Sequence, residues 1–161
     1  APGNSPGKIT VLNSFSMQGT GVYKAEILDK DHYDQIVAQS VQLSNGGNSS
    51  KLELVYLPGG TIKKGDTFTI INNNGSAPVQ GTFNGLPEGA EFAVDGATFK
   101  ISYVGGDGND VVLTAQNDST GPKAPNTGGE NVAVNLAGTI VGVASAAILL
   151  FMAKRKSFGK K

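Results

Sequence analysis

From Lys8 to Ala115 apolar residues recur at every second position in short runs, the period of a strand with one buried face. Tyr23, Ala25 and Ile27 alternate with Lys24 and Glu26. Leu52, Leu54 and Tyr56 alternate with Lys51, Glu53 and Val55, and Phe99, Ile101 and Tyr103 with Lys100 and Ser102. The runs KITV, GVYKAEI, QIVAQSVQL, KLELVYL, DTFTII, VQGTF, EFAV and ATFKISY are separated by NGGNSS, PGG, NNNGS and GGDGND. Gly and Asn in these breaks supply the positive-φ residues and side-chain caps of tight turns. No 3.6-residue apolar stripe occurs before residue 120, so residues 1–115 are expected to form an all-β body. Short, evenly spaced strands suit a solenoid or a sandwich, and period two is common to both.

The pattern changes after Ala115. Residues 116–131 hold no large apolar side chain and read as an extended polar linker. Val132 to Ala153 then run for 22 residues without a charge. At about 1.5 Å per residue this is a helix of roughly 33 Å, enough to cross a bilayer core, so one transmembrane α-helix is expected over 132–153. Gly138 and Gly142 within it have the small-xxx-small spacing that lets helices approach closely. Lys154, Arg155 and Lys156 follow directly and begin a basic tail, 154–161, which the positive-inside bias leaves in the cytoplasm with the β body outside.

Charge sharpens this division. The 161 residues have zero formal net charge, but up to Asp118 there are 7 Lys+Arg against 12 Asp+Glu, and from Ser119 onward 6 against 1. The mildly acidic body argues against a nucleic-acid surface. With no cysteine in the chain, disulfides and thiolate metal sites are excluded, and stability must come from packing and strand ladders. The opening APGNSPG has neither a basic n-region nor an apolar h-region, so we expect a fragment or a chain whose leader has been removed.

Two stretches carry candidate chemistry. Gly105–Leu113, GGDGNDVVL, fits the calcium-binding nonapeptide G-G-x-G-x-D-x-U-x, with Asp107 and Asp110 as the carboxylates. Calcium in that setting is held between stacked copies, and this chain has one copy, so a hairpin from ATFKISYV to DVVLTA is the preferred reading. DKDHYDQI, Asp29–Ile36, gathers three carboxylates and the only histidine, which reads as a solvated corner with Asx caps rather than a metal or acid–base site. No nucleophile elbow, phosphate loop or zinc spacing is present, and no cofactor or metal is expected.

A small polar motif, an apolar run and a basic cluster, in that order, resemble the sorting signal of bacterial surface proteins, the LPXTG type read by sortases. The pentapeptide is Ala124-Pro125-Asn126-Thr127-Gly128. Pro, Thr and Gly match, and Ala124 stands where the family has Leu. The resemblance implies that the enzyme's cysteine attacks the Thr127 carbonyl, that the part beginning at Gly128 is released, and that the acyl group passes to an amine of the cell envelope. Pro125 suits an extended peptide presented in a groove, and Gly128 lets the attacking group come close.

The body is similar to the closing segment of autotransporter-type surface passengers, through GNSPGKITV, DHYDQI, GDTFTIINNNGSAPVQGTFNGLPEGAEF and FKISYVGGDGNDVVLTA. That resemblance implies the end of a right-handed parallel β-helix with a C-terminal closing hairpin, and further helical turns upstream. Such passengers are normally followed by an outer-membrane barrel, whereas a sorting tail follows here.

Together these readings imply a bacterial surface protein, a substrate rather than a catalyst, displayed for adhesion on the cell wall or plasma membrane. Its partners would be a sortase-type transpeptidase, the envelope, the membrane and a ligand on a host or neighbouring cell. Two alternatives stand beside it: a permanent single-pass anchor, and a β-helical polysaccharide-active enzyme. The second alternative needs two of Glu26, Asp29, Asp31, Asp34 and Glu53 to converge in a groove.

Overall fold

The computed structural model describes residues 6–45 and 48–124. Their regular elements are strands: β1 (Lys8–Thr10), β2 (Ser14–Ser16), β3 (Val22–Asp29), β4 (His32–Tyr33), β5 (Gln35–Ala38), β6 (Ser40–Gln42), β7 (Ser44–Asn45) and β8 (Asn48–Ser49). They continue with β9 (Lys51–Tyr56), β10 (Thr61–Ile62), β11 (Thr67–Asn73), β12 (Glu91–Val94), β13 (Ala97–Gly105), β14 (Asp110–Ala115) and β15 (Ser119–Thr120).

The alternation read from the sequence sets which side chains go inside. Tyr23, Ala25 and Ile27 are buried on β3 while Lys24 points out, and Phe99, Ile101 and Tyr103 are buried on β13 around the exposed Lys100. On β14 Val111, Val112 and Leu113 are all buried, as in a strand covered on both faces. Phe68 on β11 makes an edge-on contact to Tyr33 of β4 at 5.5 Å and another to Phe99 of β13 at 5.9 Å.

The pairing corrects the expected fold. The largest sheet has the order β1-β5-β11-β14-β13-β12 and is mixed: β1, β5 and β11 run parallel, but β11, β14, β13 and β12 are joined antiparallel. The other strands form four smaller sheets, of which β4-β3-β9, β10-β15 and β7-β8 also contain antiparallel pairs. The described residues are therefore all-β but not a right-handed parallel β-helix. A period of two fixes which face is buried and says nothing of the direction of the neighbouring strand. The same expectation included a membrane helix. That run, 132–153, lies outside the described residues, and among them no helix is long and apolar enough to cross a membrane.

Candidate functional site

The place where the chain leaves the β body is built by polar side chains acting on backbone groups. Gln116 N donates to Thr98 O at 2.8 Å. Asn117 then straddles the β12–β13 turn, its Oδ1 accepting from Thr98 N at 2.7 Å and its Nδ2 donating to Gly96 O at 2.9 Å. Asp118 Oδ1 accepts from Lys64 N at 2.8 Å. Next, β15 pairs antiparallel with β10, Thr61 opposite Thr120 and Ile62 opposite Ser119. The Tyr56 hydroxyl, from a ring that is 1% exposed, donates to Ser119 O at 2.9 Å. Burial raises the Tyr56 pKa above its ordinary value, and the hydrogen bond to Ser119 O opposes the rise.

Gly121 N donates to Gly60 O at 2.9 Å, and Gly59 N to Pro122 O at 3.2 Å. Gly121 is required here because a Cβ would overlap Leu57 O and crowd Gly60 N. Residues 116–122, read from the sequence as linker, are thus fastened to the body by backbone pairing and side-chain caps. Beyond Pro122, Lys123 and Ala124 are exposed. Ala124 is the first residue of the sorting pentapeptide; Pro125, Asn126, Thr127 and Gly128 lie outside the described residues, as do Lys154, Arg155 and Lys156.

The calcium-like loop closes a hairpin in which Gly105 pairs with Asp110. Asp110 is 6% exposed, and its Oδ1 accepts from Asn73 N at 2.8 Å, which ties β14 to the end of β11. Burial raises the Asp110 pKa, the nearby Asp107 adds to the rise, and the Asn73 amide opposes it. Asp107 lines a polar hollow of about 250 Å³ with Gly75, Ser76, Pro78, Gly108 and Asn109. Asn109 Nδ2 donates to Gly75 O at 2.5 Å, and its Oδ1 has no protein partner. Among the described residues no group of three His, Asp, Glu or Cys is placed to hold a metal ion.

The acidic residues weighed for catalysis are distributed over different tasks. Asp34 is fully buried and accepts from Gly7 N at 2.6 Å and Glu26 N at 3.1 Å. Asp29 caps its own turn, accepting from Asp31 N and His32 N at 2.9 Å and facing the His32 ring at 2.9 Å. Slight burial works against it, but these amides and the ring hold the Asp29 carboxyl below its ordinary value. Asp31 pairs with Lys30 at 2.8 Å on the exposed side of that corner. Glu53, on β9, stands opposite Lys24 in the parallel register with β3.

Compared with known proteins, this chain matches no family model, no curated protein and no solved structure. The geometry therefore carries the site assignment alone. Sequence reasoning missed Tyr56 and Gly121, which hold the exit strand, and Asp34, which sits inside the corner it read as solvated. The signal for Gly121 was present in STGP, a glycine before proline at a strand end; nothing in the local pattern distinguished Asp34 from Asp31.

Proposed function

We propose that this chain is the envelope-proximal part of a bacterial surface protein, attached by a sortase-type transpeptidase with the β body displayed outside. The reading is carried by order along the chain. The β body is fastened as far as Pro122 among the described residues, the exposed Ala124 precedes Pro-Asn-Thr-Gly in sequence, and a charge-free run and a basic cluster follow. A transpeptidase requires its peptide in extended form, and among the described residues the last bond to the body is at Pro122, two residues before the pentapeptide begins.

In the proposed reaction the enzyme thiolate attacks the Thr127 carbonyl and forms a thioester as the Thr127–Gly128 bond breaks. The new amino group on Gly128 takes up a proton and leaves with the apolar run. An envelope amine then attacks the thioester, forms an amide with Thr127 and returns the thiol. The chain acts as acyl donor, and catalysis belongs to the partner. The β body serves as a display scaffold for adhesion, its ligand being on a host or neighbouring cell.

Mass spectrometry of envelope-bound material tests this directly. The expected result is a peptide ending at Thr127 linked to an envelope amine. Recovery of envelope-associated chain with Lys161 intact would overturn it and favour the permanent anchor.

A further inference from the structure

We infer that the polar hollow between the β13–β14 loop and the loop after β11 binds one calcium ion, with the Asp107 carboxylate and Asn109 Oδ1 as its side-chain ligands. Both walls are fixed to the body. Asp110 Oδ1 accepts from Asn73 N at 2.8 Å, Asn73 Nδ2 donates to Ala77 O at 2.8 Å, and Asn109 Nδ2 donates to Gly75 O at 2.5 Å. Gly75 is seated against Gln39 O more closely than a Cβ would allow, and the Asp110 carboxylate fills the space that a Cβ on Gly106 would need. Asp107, Asn109 and Ser76 then line a hollow of about 250 Å³.

The polar groups around this hollow call for positive charge. Asn109 is 8% exposed, and with its Nδ2 held by Gly75 O its Oδ1 is a buried acceptor with no donor from the protein. Such an oxygen is satisfied by a hydrogen-bond donor or by a cation. The charges nearby favour the cation: Asp107 is close enough for its charge to raise the pKa of Asp110, and among the described residues neither carboxylate has an ion pair. In the stacked nonapeptide a second copy completes the cage. Here the loop after β11 takes that place, and Asp110 is spent on Asn73 N.

Calcium suits the donors. It accepts about six to eight oxygens in irregular geometry, and a carboxylate, an amide oxygen, the Ser76 hydroxyl and water are all of that kind. No imidazole or thiolate lines the hollow, as zinc or copper would prefer, and magnesium demands a regular octahedron. With few carboxylates and a rim exposed at Asp107 and Ser76, the affinity belongs in the weak range of about 0.1–1 mM.

The full chain, labelled with nitrogen-15 and held in detergent micelles, would be titrated with calcium chloride at about 0.15 M potassium chloride, which screens diffuse attraction to acidic surface. One calcium per chain is expected, with a Kd of about 0.1–1 mM and amide shifts centred on residues 75–78 and 105–110. Asp107→Asn, at an exposed position, should weaken binding about tenfold or more; Asp95→Asn, an exposed acid at the other end of β13, should leave it unchanged. Absence of saturable binding up to about 10 mM calcium assigns the hollow to water and overturns the site. Shifts centred elsewhere, binding that Asp107→Asn leaves intact, or equal weakening by Asp95→Asn overturn it as well. Magnesium bound as tightly as calcium overturns the choice of ion. No residue of the sorting peptide takes part, so each of these results leaves the proposed attachment untouched.

Discussion

Asp34 has no exposed surface, and both of its carboxylate oxygens accept backbone amides, Gly7 N and Glu26 N. It joins the first strand region to β3, and Asp34→Ala would leave two amides without their acceptor. The expected loss is about 3 kcal/mol, read from urea unfolding, with Asp34→Asn losing less because one acceptor remains. The tyrosines make a second prediction at this scale. Burial raises the phenol pKa of Tyr23, with the charge of Asp34 adding to it, and of Tyr56 and Tyr103, the last to about 12 against an ordinary value of 10.0. A phenol with a raised folded pKa contributes stability that is complete below pH 10 and lost as pH rises through the folded value. The urea midpoint should hold to pH 10 and then fall, with tyrosinate absorbance from these three rings appearing together with unfolding and not before it. The buried faces of Tyr23, Ala25 and Ile27 were readable from alternation alone. Asp34 was not, because its place depends on amides brought from 8 and 27 residues away.

The β12–β13 hairpin shows what a local signal fixes at the scale of an element. Val94 pairs with Ala97 across the two residues Asp95-Gly96, at φ of 48° and 85° respectively. A two-residue loop with both φ values positive is the turn that matches strand twist, and Asp-Gly is among its preferred sequences. Gly96→Val should cost about 1–2 kcal/mol and speed hydrogen exchange in β12 and the first half of β13, whereas Asp95→Asn should be nearly neutral, since Asn tolerates positive φ. Read closely, EFAVDGATF specifies this antiparallel pair, and with it the departure from an all-parallel stack. The parallel ladders β1-β5-β11, β2-β6 and β3-β9 join strands far apart in the chain, and no residue pattern within a strand encodes them. The exit segment escaped for a related reason. Asn117 and Asp118 look solvated by composition, yet each spends its side chain on a backbone group of a distant turn.

For the whole molecule, the distribution of work between body and tail leads to a prediction that separates folding from attachment. The bonds that hold the described residues 6–45 and 48–124 include the mixed sheet, the Phe68 aromatic contacts and the Asp34 and Asp110 anchors, and each lies before Gly121 in sequence. The proposed chemistry uses only Thr127 and Gly128, which follow the described residues in sequence. Replacing these two, as Thr127→Ala with Gly128→Ala, should therefore leave the thermal midpoint and near-ultraviolet spectrum of the tyrosine core unchanged. Covalent attachment should fall below detection in envelope fractions from a sortase-bearing host. The reverse change belongs at the other end of the molecule: Asp34→Ala should lower the midpoint yet, at temperatures where the body stays folded, leave attachment at its parental level. If the Thr127 and Gly128 replacements left attachment intact, the bond to the envelope would have to form elsewhere on the chain, and the tail would act only by its apolar run. If instead they lowered the thermal midpoint, the stability of the body would depend on residues beyond Pro122.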